Sequence, residues 1–238
     1  MRRRVPPPMA AVLAGIAVAL VFAPSAARAA DAVVQPTETP SAEYAILTAT
    51  SVQPTDLAPQ YEIALTPDGA IVNGAVTLDF CGALFPSEDL RTGRVQVVIR
   101  NAATAQSVAS VEAVSYADAA SATQALDELG RARRACPQGR PVTSAVAGIG
   151  PAKWTFAPAP DTKWDDVAGV RRQAYDVRIK EAQAKPIRAH LVYFQHGRFL
   201  IGLYGPPSFL EQIVAADVDG EAGLAAALSE RLAKLPAS

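Results

Sequence analysis

The chain has 238 residues, with 22 Lys and Arg against 23 Asp and Glu; half of it is hydrophobic and 6% is aromatic. Its first 29 residues hold four of the arginines and no acid, so the remainder carries 18 basic against 23 acidic residues, a net charge of −5. That balance leaves no basic excess to track a nucleic-acid backbone and no cationic cluster for an anionic membrane surface.

Residues 1–29 read as a secretory signal peptide. Arg2, Arg3 and Arg4 form the basic start, an apolar run extends from Met9 to Phe22, and Pro24 precedes the small-residue site Ala27-Arg28-Ala29. The apolar run is too short for a comfortable membrane span. No cysteine stands at the cleavage point, so no lipid anchor is expected. The expectation is a protein secreted to the medium or held in the cell envelope, with no membrane span after cleavage. Roughly 210 residues then remain, enough for one substantial core or two small ones. Residues 30–43 read as a flexible tether, rich in Pro and Thr and without a hydrophobic period. Residues 44–238 read as a single domain.

Pro54, Pro59 and Pro67 predict loops with short strands, and Pro67-Asp68-Gly69 predicts a turn. Residues 76–81 read as a short strand or buried segment. Ser87 reads as the N-cap of a helix with Glu88 and Asp89 in its first turn. Residues 95–100 form a strand in which Val98 faces a second apolar layer. Residues 107–116 alternate, with Glu112 as the exception and a bulge near Val111. Ser121 and Gln124 match a capping box for a helix whose face carries Ala125, Leu126, Leu129, Ala132 and Ala135, and which stops at Cys136-Pro137.

A short strand is expected at Lys153–Phe156 and another from Tyr175, where Val177 and Ile179 alternate with charged residues. Residues 189–195 and 198–204 predict a hairpin with His196-Gly197 as its turn. Ser208 opens a second capping box, for a short helix near Leu210–Ala216. A last helix after Asp219 carries Leu224, Leu228, Leu232 and Leu235 as an apolar stripe. This order predicts an α+β fold: an antiparallel β-sheet with two or three packed helices in a single domain.

Cys81 and Cys136 are the only cysteines. In a secreted chain such a pair is most simply one disulfide. Closing its loop of about 56 residues stabilises the fold by about 4 kcal/mol on the chain-entropy argument. The rival reading is two free thiols, one of them nucleophilic, which would need a nearby histidine.

Catalytic patterns are weak. His190 and His196 both fall in the hairpin region, His190 as a half-buried strand residue and His196 as a turn residue, and they are too few for a zinc site. Ser87 has no nucleophile elbow around it. Asp217-Val218-Asp219-Gly220 lacks the later ligand positions of a calcium loop. Gly148-Ile149-Gly150 is too short to cradle a phosphate. No catalytic residue, metal or cofactor is therefore assigned. A ligand cleft lined by aromatic and basic residues would draw on Arg91, Arg94, Arg171 and Arg172 with Trp154 and Trp164. The bland alternative is solvated arginines on a sheet edge.

One stretch carries a family likeness. Val76–Val97, with Leu78-Asp79-Phe80-Cys81, Phe85-Pro86-Ser87-Glu88 and Arg91-Thr92, resembles secreted proteins and lipoproteins of actinobacteria. These are similar to the extracellular sensor domain of PknH-type receptor serine/threonine kinases. The helix ending in Cys136-Pro137 and the hairpin with Gly197-Arg198 and Gly202-Leu203-Tyr204 extend the likeness over about residues 45–235. The resemblance implies a mixed antiparallel sheet flanked by helices, a ligand-binding cleft and no catalytic residues. The chain departs from it in having neither kinase nor transmembrane helix, and one cysteine pair in place of two.

The leading expectation is a secreted, non-catalytic ligand-binding or sensor-like module whose partner is a small molecule or an envelope component. The alternative is an envelope protein that contacts another protein, and a less favoured one is a hydrolase using Ser87 or a histidine.

Overall fold

The apolar runs at residues 189–195 and 198–204 leave no wet face, and they form the centre of the sheet. The structure, a computed structural model, describes residues 41–74, 80–144, 150–157, 166–182 and 185–237. The elements run α1 (Ala42–Thr50), β1 (Tyr61–Leu65), β2 (Arg91–Asn101), β3 (Ser107–Tyr116), α2 (Ala119–Ala135), β4 (Pro141–Val142), β5 (Ala152–Ala157), β6 (Arg171–Glu181), β7 (Ile187–His196), β8 (Phe199–Gly205), α3 (Pro207–Leu210) and α4 (Gly220–Ala233). The eight strands make one antiparallel sheet in the order β1-β2-β3-β8-β7-β6-β5-β4. The expected α+β architecture is the one observed, with three longer helices and the single turn of α3.

Helices cover both faces of the sheet, and this sets which strand positions are apolar. On one face Leu47 of α1 and Leu224, Leu228 and Leu232 of α4 pack with Val95, Val97, Ile99, Val111, Val192, Phe194 and Ile201. On the other face Ala122, Ala125, Leu126, Leu129 and Ala132 of α2 pack with Val114, Tyr116, Leu191, Tyr193 and Leu200. Every residue of β8 is buried, as expected of a strand covered on both sides. Each fully buried leucine in these layers contributes about 1.5–3 kcal/mol of transfer free energy.

Several local expectations shift. A helix, α1, opens at Ser41, whose Oγ accepts the Tyr44 N–H at 3.1 Å, so the fold starts before Tyr44. Only Leu47 and Thr50 of α1 are buried, too few to give a readable period. Residues 75–79, most of the strand expected at 76–81, lie outside the described residues, as do residues 1–40. Ser87 is not a cap. It is fully buried within a 3-10 turn, Pro86–Leu90, and donates from Oγ to Glu128 Oε2 at 2.6 Å, tying that turn to α2. Helix α2 is capped by Asp118, which accepts the Ser121 N–H at 2.7 Å, so the Ser121 capping box does not form.

The register is regular at Val111, which pairs with Val97 and Leu203; the irregularities fall at Arg91/Gly93, where Thr92 of β2 is the extra residue, and at Ile99/Arg100, where Val108 of β3 is. His196 pairs with Phe199, so the β7–β8 turn is Gly197-Arg198, with Gly197 at φ +51°. In the Pro67-Asp68-Gly69 turn Asp68 takes the positive φ. Gly69 is required for closeness, since a Cβ there would lie 2.5 Å from the Gln96 carbonyl.

Cys81 and Cys136 form a disulfide with Cα atoms 5.9 Å apart, which overturns the free-thiol reading. The bond ties the end of α2 to the segment before Pro86 across 55 residues of sequence. Reduction, or the double variant Cys81→Ser/Cys136→Ser, should lower the unfolding free energy by about 4 kcal/mol in a urea titration.

Candidate functional site

Helix α2 ends in a basic turn, Arg133 and Arg134, as the helix dipole favours. That turn lies over β5 and β6, and the two elements do not close against each other. Between them Gly130, Arg133, Arg134, Ala157, Gln173, Ala174 and Tyr175 line a cleft of about 430 Å³. This volume falls within the usual range of small-molecule sites, about 300–1,000 Å³.

An aromatic ladder backs the cleft. Trp154, Phe156, Tyr175, Tyr193 and Tyr204 follow one another across β5, β6, β7 and β8 with ring centroids 5.5 to 6.4 Å apart. Phe80 packs on Trp154, Phe156 and Tyr175. The Arg133 guanidinium carbon sits 4.7 Å from the centroid of the Phe156 ring, a cation–π contact. Among the described residues neither Arg133 nor Arg134 pairs with a carboxylate. The Tyr175 hydroxyl donates to Gln173 Oε1, and both Oε1 and Nε2 of that amide stand beside Gly130. The polar lining thus holds the two guanidiniums and the Gln173 Nε2 as donors and the Gln173 Oε1 as an acceptor.

Gly130 is the unusual residue of this lining. A glycine inside a helix costs about 1 kcal/mol relative to alanine. A Cβ there would meet Arg134 Nη1 at 3.4 Å and the Gln173 amide Nε2 and Oε1 at 3.5 and 3.6 Å, ordinary contacts that packing would accept. Neither backbone angle nor packing requires the glycine, and its effect is to leave space between Arg134 and Gln173.

The residues expected to line a cleft fall elsewhere. Arg91 is buried at the start of β2, with Nε donating to the Glu88 carbonyl at 2.9 Å. Arg94 is buried too, donating to Glu112 Oε1 at 2.5 Å, to Gln96 Oε1 at 2.6 Å and to the Asp68 carbonyl at 2.8 Å. This pairing accounts for Glu112 in an otherwise apolar strand. Arg171 and Arg172 lie on β6, four strands from β2 or about 19 Å at the usual strand spacing, so the four arginines do not share one cleft. Arg172 pairs with Asp166 at 3.2 Å. Arg171 pairs with Asp127 of α2 at 2.8 Å, three residues before Gly130, and like the other three expected arginines it does not line the observed cleft. Trp154 is a buried core residue behind it. Trp164 lies outside the described residues.

The side chains considered for catalysis are engaged. His190 Nδ1 lies 2.7 Å from Glu221 Oε2 in a buried pair, and its Nε2 is buried without a hydrogen-bond partner among the described residues. His196 lies between the carbonyls of Gly169 and Leu235, at 2.8 and 3.0 Å. Among the described residues no three His, Cys, Asp or Glu side chains group as metal ligands, and no helix is long and apolar enough to cross a membrane. Asp219 occupies the cap position of α4 without a side-chain cap bond.

Neither a protein-family model nor a curated protein matches this chain. Among solved structures, the extracellular domain of PknH from Mycobacterium tuberculosis is similar, at 12% identity and a TM-score of 0.40, over 83% of this chain and 93% of that one.

Arg94 is structural, and removing one member of a buried ion pair strands the other. Arg94→Met should lower stability by about 3–5 kcal/mol in chemical denaturation, and adding Glu112→Leu should restore most of it. Burial pushes the Tyr175 phenol up to about 12, against the pull of Arg133 and Arg134. A folded-state value above that of the unfolded chain, about 10, means stability is lost as pH rises from about 10 towards 12. Tyr175→Phe should reduce that loss in unfolding titrations across this range.

Proposed function

We infer that the protein is a non-catalytic binding module that works outside the cytoplasm and holds a small ligand between α2 and β5–β6. The observation that carries this reading is the cleft itself: two arginines without carboxylate partners among the described residues, and the Gln173 amide, beside apolar walls. A protein that keeps such donors unpaired in a concave site has them available for an acceptor-rich ligand.

Two features support the extracellular placement. The disulfide belongs to an oxidising compartment, and residues 1–29 have the order of a signal peptide. The non-catalytic assignment is supported by the engagement of the residues a hydrolase would enlist. Ser87 is buried against Glu128 of α2 and His190 against Glu221 of α4, on opposite faces of the sheet, so they cannot act together, and His196 lies between two carbonyls.

Native mass spectrometry of the mature protein taken from the secreting host's medium tests the reading. A reproducible non-covalent adduct, lost in Arg133→Gln/Arg134→Gln, is the expected result. A bare protein at every concentration, with no shift in melting temperature across a panel of small envelope and metabolite compounds, would reject it.

A further inference from the structure

The binding-module reading leaves the ligand's chemistry open, and on that reading the lining narrows it. We propose that the cleft takes a phosphomonoester carried on a compact apolar group. The oxyanion lies above Gly130, between the Arg134 guanidinium and the Gln173 amide, within reach of Arg133.

The position follows from what surrounds the space over Gly130. Arg134 Nη1 and Gln173 Nε2 stand 3.4 and 3.5 Å from the point a Cβ would occupy, so both flank the same methyl-sized gap; Gln173 Oε1, at 3.6 Å, accepts from the Tyr175 hydroxyl. Arg133 enters the same cleft from the same helical turn. Two guanidiniums and an amide offer more N–H donors than one planar carboxylate accepts, and they suit a tetrahedral dianion with three terminal oxygens. The neighbouring acid, Asp127, is paired with Arg171 at 2.8 Å, so its charge is offset at the rim.

The remainder of the ligand follows from volume and walls. A cleft of about 430 Å³ is several times what a bare phosphate fills. Ala157, Ala174 and the Tyr175 ring supply the rest of the lining, which calls for an apolar group on the phosphate.

The test is titration of the mature protein with phenyl phosphate, followed by backbone amide NMR. Inorganic phosphate, benzoate, benzyl alcohol and vesicles containing phosphatidic acid serve as comparison arms. Phenyl phosphate should shift the amides of Gly130, Arg134, Gln173 and Tyr175. It should bind at least about tenfold more tightly than inorganic phosphate, benzoate or benzyl alcohol, the margin expected when one charged contact or the apolar burial is lost. Affinity should fall as pH drops through about 6, where a phosphomonoester loses its second charge.

Arg134→Gln should weaken binding roughly 10- to 100-fold. Gly130→Ala keeps both arginines and should weaken binding as well, while the melting temperature holds or rises. That opposition of affinity and stability is a readout that misfolding would not produce.

Benzoate or benzyl alcohol binding in the cleft as tightly as phenyl phosphate would overturn the phosphomonoester assignment and leave the binding module standing. Undiminished binding by Gly130→Ala would overturn the position. Recruitment to phosphatidic acid vesicles that phenyl phosphate does not compete away would overturn the cleft as the phosphate site. A native adduct with no phenyl phosphate binding would reject this proposal alone, whereas absence of both would reject the binding module with it.

Discussion

The molecule depends on its central strands, β3, β8 and β7, being buried on both faces. A sheet of that kind cannot stand alone in water, because either uncovered face would expose a row of valine, leucine and phenylalanine. Helices α1 and α4 share one face, and α2 covers the other. A single helix covers only part of a sheet of eight strands. Where α2 runs out over β5 and β6 a gap is left, and its rim is the last helical turn with its two arginines. The cleft is thus a by-product of layer geometry, kept open by a glycine where alanine would have fitted.

Polar groups inside the layers are handled differently from those at the rim. Arg94 and Glu112 meet within the sheet, and Arg94 spends its donors on protein acceptors. Ser87 and Glu128 close the 3-10 turn onto α2. Through these bonds Arg94 and Ser87 meet the requirement that buried polar groups find partners. Arg133 and Arg134 stand at the edge, one stacked on Phe156 and the other exposed, where solvation removes that requirement. Such positions can leave donors available for a ligand at little cost to stability.

The contrast explains what could be read from the chain. Alternation at Val177 and Ile179, the leucine stripe of α4 and the paired cysteines identified the architecture, because burial repeats with the period of each element. Caps and turns shifted by one to three residues, as at Asp118 and Gly197, where several small polar residues compete for one local bond. The site was harder. Arg91 and Arg94 look in sequence like the arginines of a cleft, and only the pairing with Glu112 across two strands shows that Arg94 belongs to the interior. The legible signal for the observed cleft was Gly130, a helix-weakening residue within an otherwise well-formed helical face. Its partner Gln173 lies more than forty residues away.

The turn between β7 and β8 holds both limits of the described fold. Arg198 donates to both carboxylate oxygens of Glu43, at 2.8 Å each, at the start of α1. Gly197 approaches the Pro236 carbonyl so closely that a Cβ would lie 2.7 Å from it, and His196 reaches the Leu235 carbonyl at 3.0 Å. Three consecutive residues therefore bring the first helix and the last residues of the fold to one place. The domain is geometrically a closed ring with its seam at that turn. A short bridge across the seam would let the backbone be opened at another exposed loop, such as residues 102–106, with the sheet order and the cleft preserved.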